Sequence, residues 1–125
     1  MSLDVYLTGE TREVECICNE CGDRHTRTET EEIYWANITH NLCKMAMEAG
    51  IYKELWSPDE IGITKARQLI DPLSRGLDLM RSDPERFKAL NATNGWGTYR
   101  DFLPWIAKYL EACRENPDAD VEVSR

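Results

Sequence analysis

At 125 residues, 42% apolar and 30% charged, the chain has the size and balance of one soluble domain able to bury a core without staples. Its net charge of −8 and pI near 4.8 exclude a globally basic surface, so non-specific nucleic-acid binding and attraction to anionic membranes are not expected. No apolar run approaches the roughly 18 residues of a spanning helix.

The N-terminus, MSLDVYLTGE, lacks a basic segment followed by an apolar one, so no export signal is expected. Five cysteines in such a chain read as thiols or metal ligands in the cytoplasm, and the sequons at Asn37 and Asn91 as coincidental. Leu3, Val5 and Leu7 alternate with Asp4 and Tyr6 in a short strand, and Thr8-Gly9-Glu10 reads as a turn. Thr11 to Cys18 alternates again, Asn19 to Asp23 turns around Gly22, and the polar run His25 to Thr30 reads as a return strand.

Ile33 to Trp35 then leads into a helix with Ile38, Leu42, Met45 and Ala49 on one side, Asn37 as its N-cap and Gly50 just past its end. Ser57-Pro58-Asp59-Glu60 is a cap with proline at the first helical position, and Gly62 keeps that helix short. Thr64 opens a longer one through Ala66, Leu69, Ile70, Leu73, Leu77 and Met80, which Pro72 should kink or split. Ser82-Asp83-Pro84-Glu85 starts another. After the loop Asn91 to Thr98, Thr98 or Asp101 caps the last helix, whose apolar stripe is Tyr99, Phe102, Leu103, Ile106, Leu110 and Cys113. Ala119 to Val123 alternates as a closing strand. The fold class is therefore α+β: one domain over residues 1–125, with a small antiparallel or mixed sheet that includes both termini. Three to five helices pack on it. Residues 11–32 form a cysteine knuckle hairpin and 33–125 the helical body.

Cys16, Cys18, Cys21 and Gly22 form a dense CxxCG knuckle of the kind that grips zinc, which needs four ligands in a tetrahedron. A local set is Cys16, Cys18, Cys21 and His25. A long-range set is Cys18, Cys21, His40 and Cys43. Either would be structural, since four protein ligands leave no open position for water. Unmetallated thiols are the bland alternative, which three cysteines within six residues disfavour.

Two further features exceed packing needs. Asn37, His40 and Asn41 crowd the expected first turn, where one cap suffices, and free amides there favour an anion. Asn94-Gly95-Trp96-Gly97-Thr98-Tyr99 sets a tryptophan between two glycines. It reads either as a core plug or as an aromatic face cleared for a ligand.

The segments NITHNL, AGIY with LWSPDE, NGWGTY and the closing VSR resemble a family of short proteins from bacteria and their phages that carries no assigned activity. The likeness covers about Glu32 to Arg125. It implies that the position of Cys43 is often glycine, which favours the local zinc set and turns His40 into a site residue. The sequence holds no nucleophile elbow, P-loop or HExxH, so a binding module is expected rather than an enzyme. Its ligand would be small, polar and anionic or nucleotide-like, in a pocket formed by Asn37, His40, Asn41, Trp96 and Tyr99, which a homodimer could share. A zinc-knuckle adaptor for another protein, and a hydrolase using His40 as base with Asp59 or Glu60, are the competing readings.

Overall fold

The computed structural model describes residues 2–17 and 24–125. Among these, β1 (Ser2–Ile17) and β2 (Arg24–Thr39) form a long antiparallel hairpin, and β3 (Asp120–Ser124) pairs antiparallel on the other side of β1. The order β2-β1-β3 puts both ends of the chain in one sheet, as the alternating patterns imply, with Val5 opposite Ala36 and Val123, and Leu7 opposite Tyr34 and Val121. Alternation buries Leu3, Val5 and Leu7 completely on one face, while Trp35, Asn37 and Glu122 lie exposed on the other.

The turn expected at Thr8-Gly9-Glu10 does not form. The strand runs on, with register shifts between Leu7 and Thr8 and between Thr8 and Thr11. A glycine inside alternation marks a bulge or a close approach as readily as a turn. Here the approach is close: a β-carbon on Gly9 would stand 2.6 Å from Glu31 Oε2. The expected turn at 19–23, with Cys18 before it, lies outside the described residues.

The helix expected to start at Asn37 starts later. β2 continues through Thr39, a 3-10 turn covers His40–Leu42, and only then does α1 (Cys43–Glu48) begin. The cap is Thr39, whose Oγ1 accepts from the Asn41 amide at 3.3 Å. Ile38 is buried in either arrangement, because it satisfies both the helical spacing to Leu42 and the strand alternation from Ala36. Gly50, at φ +75°, ends this piece as expected.

α2 (Tyr52–Trp56) and a 3-10 turn (Pro58–Ile61) follow, then α3 (Arg67–Ser82), α4 (Pro84–Lys88) and α5 (Tyr99–Glu115). Ser57 does not cap; its hydroxyl accepts from Arg125 Nη1 at 3.0 Å, and the same guanidinium reaches the Trp56 carbonyl at 3.2 Å. Pro72 does not split α3. The carbonyl it leaves without a donor belongs to Gln68, in an exposed first turn where such a group can face solvent. Pro104 occupies the same place in α5 relative to exposed Arg100.

α3 and α5 pack on each other, and their buried stripes join the inner face of the sheet in one core. Tyr34 of β2 stacks on Tyr109 of α5 at 5.8 Å between ring centres. The outer side of β3 is covered by the segment before α3: Val121 donates to Thr64, and Ala66 to the Ala119 carbonyl, each at 2.9 Å. The outer side of β2 is the sheet's other edge.

Candidate functional site

A cleft of about 600 Å³ opens where the end of β2 and its 3-10 turn meet the 94–97 loop and the first turns of α5. Local chemistry builds the loop. Asn91 Oδ1 accepts from the Tyr99 amide at 2.7 Å, Asn94 Oδ1 from the Trp96 amide at 2.9 Å, and the Ala92 amide donates to the Gly97 carbonyl at 3.1 Å. Gly95 and Gly97 hold φ of +77° and +108°, values that side-chain-bearing residues rarely adopt.

Gly97 is also pressed against the corner of β2. A β-carbon there would lie 3.1 Å from Asn41 Cβ and 3.2 Å from Thr39 Cγ2. Asn41 Nδ2 completes the clamp by donating to the Trp96 carbonyl at 2.9 Å. The backbone is thus tied down on both sides of Trp96 while its indole, 72% exposed, is left in solvent at the cleft. The core-plug reading of Trp96 is therefore set aside.

Asn37 lies on the outer face of β2, where its Nδ2 donates to Asp4 Oδ1 at 2.8 Å and Ser2 Oγ at 2.9 Å. Its carbonyl accepts from Trp105 Nε1 at 3.0 Å. Thr98 caps α5 by accepting at Oγ1 from the Asp101 amide at 3.3 Å, and its hydroxyl donates to Asp101 Oδ2 at 3.0 Å, one helical turn before Trp105. Among the described residues, Asn37 Oδ1, Asn41 Oδ1, Asn94 Nδ2 and Asp101 Oδ1 have no protein partner.

Of the five residues expected at the site, Asn37, Asn41 and Trp96 line this cleft. His40 and Tyr99 do not. His40 turns to the other side of Asn41, where its Nδ1 accepts from Trp56 Nε1 at 2.8 Å, and it lines a neighbouring hollow with Cys43 and Lys44. Tyr99 is 8% exposed and its hydroxyl donates to the Met80 carbonyl at 2.9 Å, with its ring beside Phe87. It is core.

Trp105, Asp101, Asn94, Thr39 and Ser2 also line the cleft and were not among the expected site residues. Trp105 had a readable signal, since a tryptophan off the apolar stripe of an amphipathic helix needs a reason to be there. Trp35 stands outside the cleft on the same sheet face, 54% exposed, donating to Asp4 Oδ1 at 3.3 Å.

Of the metal ligands, Cys18 and Cys21 lie outside the described residues, and the β1–β2 register pairs Cys16 directly with His25. In the long-range set, His40 already binds Trp56, and burial pushes the half-buried Cys43 thiol up. Among the described residues no group of three His, Cys, Asp or Glu is placed to hold a metal. As for a hydrolase, among the described residues no ion pair joins His40 to a carboxylate such as Asp59 or Glu60. Nor is any helix there long and apolar enough to cross a membrane. Comparisons with protein-family models, curated proteins and solved structures gave no match to this chain.

Proposed function

We propose that this chain is a binding module that holds the flat, hydrogen-bonding part of a small polar ligand, a nucleobase-like ring, against Trp96. The observation that carries this reading is the clamped loop: two positive-φ glycines and the Asn41 bond fix the backbone, yet the indole between them is exposed. Packing does not require such a residue, whereas a rigid aromatic face beside free amide groups is a sound stacking platform. The anionic preference expected from a helix first turn finds no support in the cleft. α1 is six residues long, the Asn41 amide of the turn before it is taken by Thr39 and the Cys43 amide at its start by the His40 carbonyl, and among the described residues no basic side chain lines the wall.

The same reading keeps zinc as a structural ion at the hairpin end, held by Cys16, Cys18, Cys21 and His25. Its support is the register, which sets Cys16 directly opposite His25, with the other two between them in the sequence. A kinship with short bacterial and phage proteins is part of the same proposal, and its support is the resemblance of the segments around Asn37, Trp96 and the closing Val123-Ser124-Arg125 alone.

Titration of tryptophan fluorescence with a nucleoside panel and agmatine tests the cleft. Saturable quenching by at least one probe is expected. Replacing Trp96 with Ala should weaken it roughly tenfold or more, since one stacked ring is worth about 1–3 kcal/mol. Absence of quenching by every probe at millimolar concentration would refute the reading.

A further inference from the structure

Among the described residues, Asp101 is the single charged side chain lining the cleft; Arg100 beside it does not line it, and Lys44 faces the neighbouring hollow. The amino end of α5 offsets about half a charge there, so the wall stays net negative. Among the described residues, Asn37 Oδ1, Asn41 Oδ1 and Asp101 Oδ1 are free acceptors, and the donors beside them, the Asn94 amide, the Trp96 indole N–H and the Ser2 and Thr39 hydroxyls, are all neutral and leave the Asp101 charge unbalanced. Trp96 and Trp105 add indole faces, whose quadrupole attracts cations. The chain's net charge of −8 deepens the same field.

An anion entering this cleft would meet a carboxylate and carbonyl oxygens with no counter-charge. A planar cation meets the Asp101 carboxylate and the free Asn37 and Asn41 amide oxygens. Ammonium supplies the charge but has no flat face, whereas guanidinium supplies both and carries five N–H donors in one plane. Resting on the stacking cleft proposed above, we infer that the ligand is a guanidinium-bearing small molecule, with Trp96 as its stacking face and Asp101 as its charge partner.

The test titrates the full chain, by tryptophan fluorescence, with agmatine, butylamine, adenosine and adenosine 5′-monophosphate. Agmatine should bind more tightly than butylamine or adenosine, and the monophosphate more weakly than adenosine. Raising salt from about 0.05 M to about 0.5 M should weaken agmatine and leave adenosine unchanged. Asp101→Asn should weaken agmatine by about tenfold, the scale of one charge-assisted hydrogen bond, with adenosine again unaffected. The salt arm needs no variant, so it stands even where loss of the Thr98 contact harms folding. Agmatine binding no better than butylamine, or the monophosphate matching adenosine, overturns the cation. If adenosine quenches through Trp96 and agmatine does not, the cleft survives and the cation falls. If neither quenches, both fall.

Discussion

At Gly97 a missing side chain decides whether the cleft exists. The residue combines φ of +108° with contact distances that a β-carbon would make too short. Gly97→Ala should cost about 1–3 kcal/mol in urea unfolding, the scale of a strained backbone position. Trp96→Ala should stay within about 0.5 kcal/mol of the parent, as surface changes do. Equal costs for the two would mean that the indole is packing after all. Tyr109 offers the converse test: its buried hydroxyl has no hydrogen-bond partner among the described residues. Tyr109→Phe should therefore raise stability by about 1 kcal/mol, and a fall would reveal a partner, such as a bound water. The loop itself was legible because its Asn and Gly turn chemistry is local, but the exposure of Trp96 was left open, since the Asn41 bond that clamps it comes from 55 residues away. His40 and Tyr99 were not legible, since their partners Trp56 and Met80 lie 16 and 19 residues away along the chain. A sequence window cannot see such a neighbour.

Among the elements, the segment around Asn37 taught the most. Strand alternation and helical spacing share Ile38, so the boundary could not be read, and the strand won because pairing with β1 satisfies its backbone. That outcome moved Asn37 from a cap to the outer sheet face, where its amide holds Asp4 and Ser2. α5 was readable from its Thr98 cap, and α3 from its stripe, though not its start: Thr64 sits beside β3 rather than capping a helix. The hairpin end makes its own prediction. Purified without chelators, the protein should carry close to one zinc per chain, because paired thiolates bind it tightly. Cys21→Ala should abolish that content in elemental analysis, whereas Cys43→Ala should not. A zinc-free parent would end the idea, and loss on Cys43→Ala would favour the long-range set.

Across the whole molecule, the pairing of both termini in one sheet and the α+β layering follow from alternation at the two ends of the chain and apolar stripes between them. The core so formed holds ionisable groups that must stay neutral. Burial pushes the Cys113 thiol up to about 12 from its ordinary 9.0, and pushes Tyr109 higher still from 10.0. Both folded values exceed the unfolded ones, so their contribution to stability is complete below pH 9 and declines as alkali ionises the unfolded chain first. Urea midpoints should fall progressively between pH 9 and about 12. Cys113→Ala should delay the onset to near pH 10, where the tyrosine takes over. A flat profile through that window would mean the thiol is accessible in the folded protein.

The bond from the Trp105 indole to the Asn37 carbonyl joins a helix to the terminal strand of the sheet. An open strand edge invites a second chain to pair with it, and proteins blunt such edges with bulges, charges or covering groups. β3 is screened by residues 64–66, so β2 is the side on which this protein is exposed to fibril-like growth. Trp105 engages its backbone beside the cleft, so one side chain both lines the proposed ligand cleft and covers part of that edge. Trp105→Ala should therefore raise light scattering on prolonged incubation even where the monomer remains folded. Ligand that immobilises the ring should delay the same process in the parent, whereas scattering unchanged by the substitution would show that the edge needs no such guard.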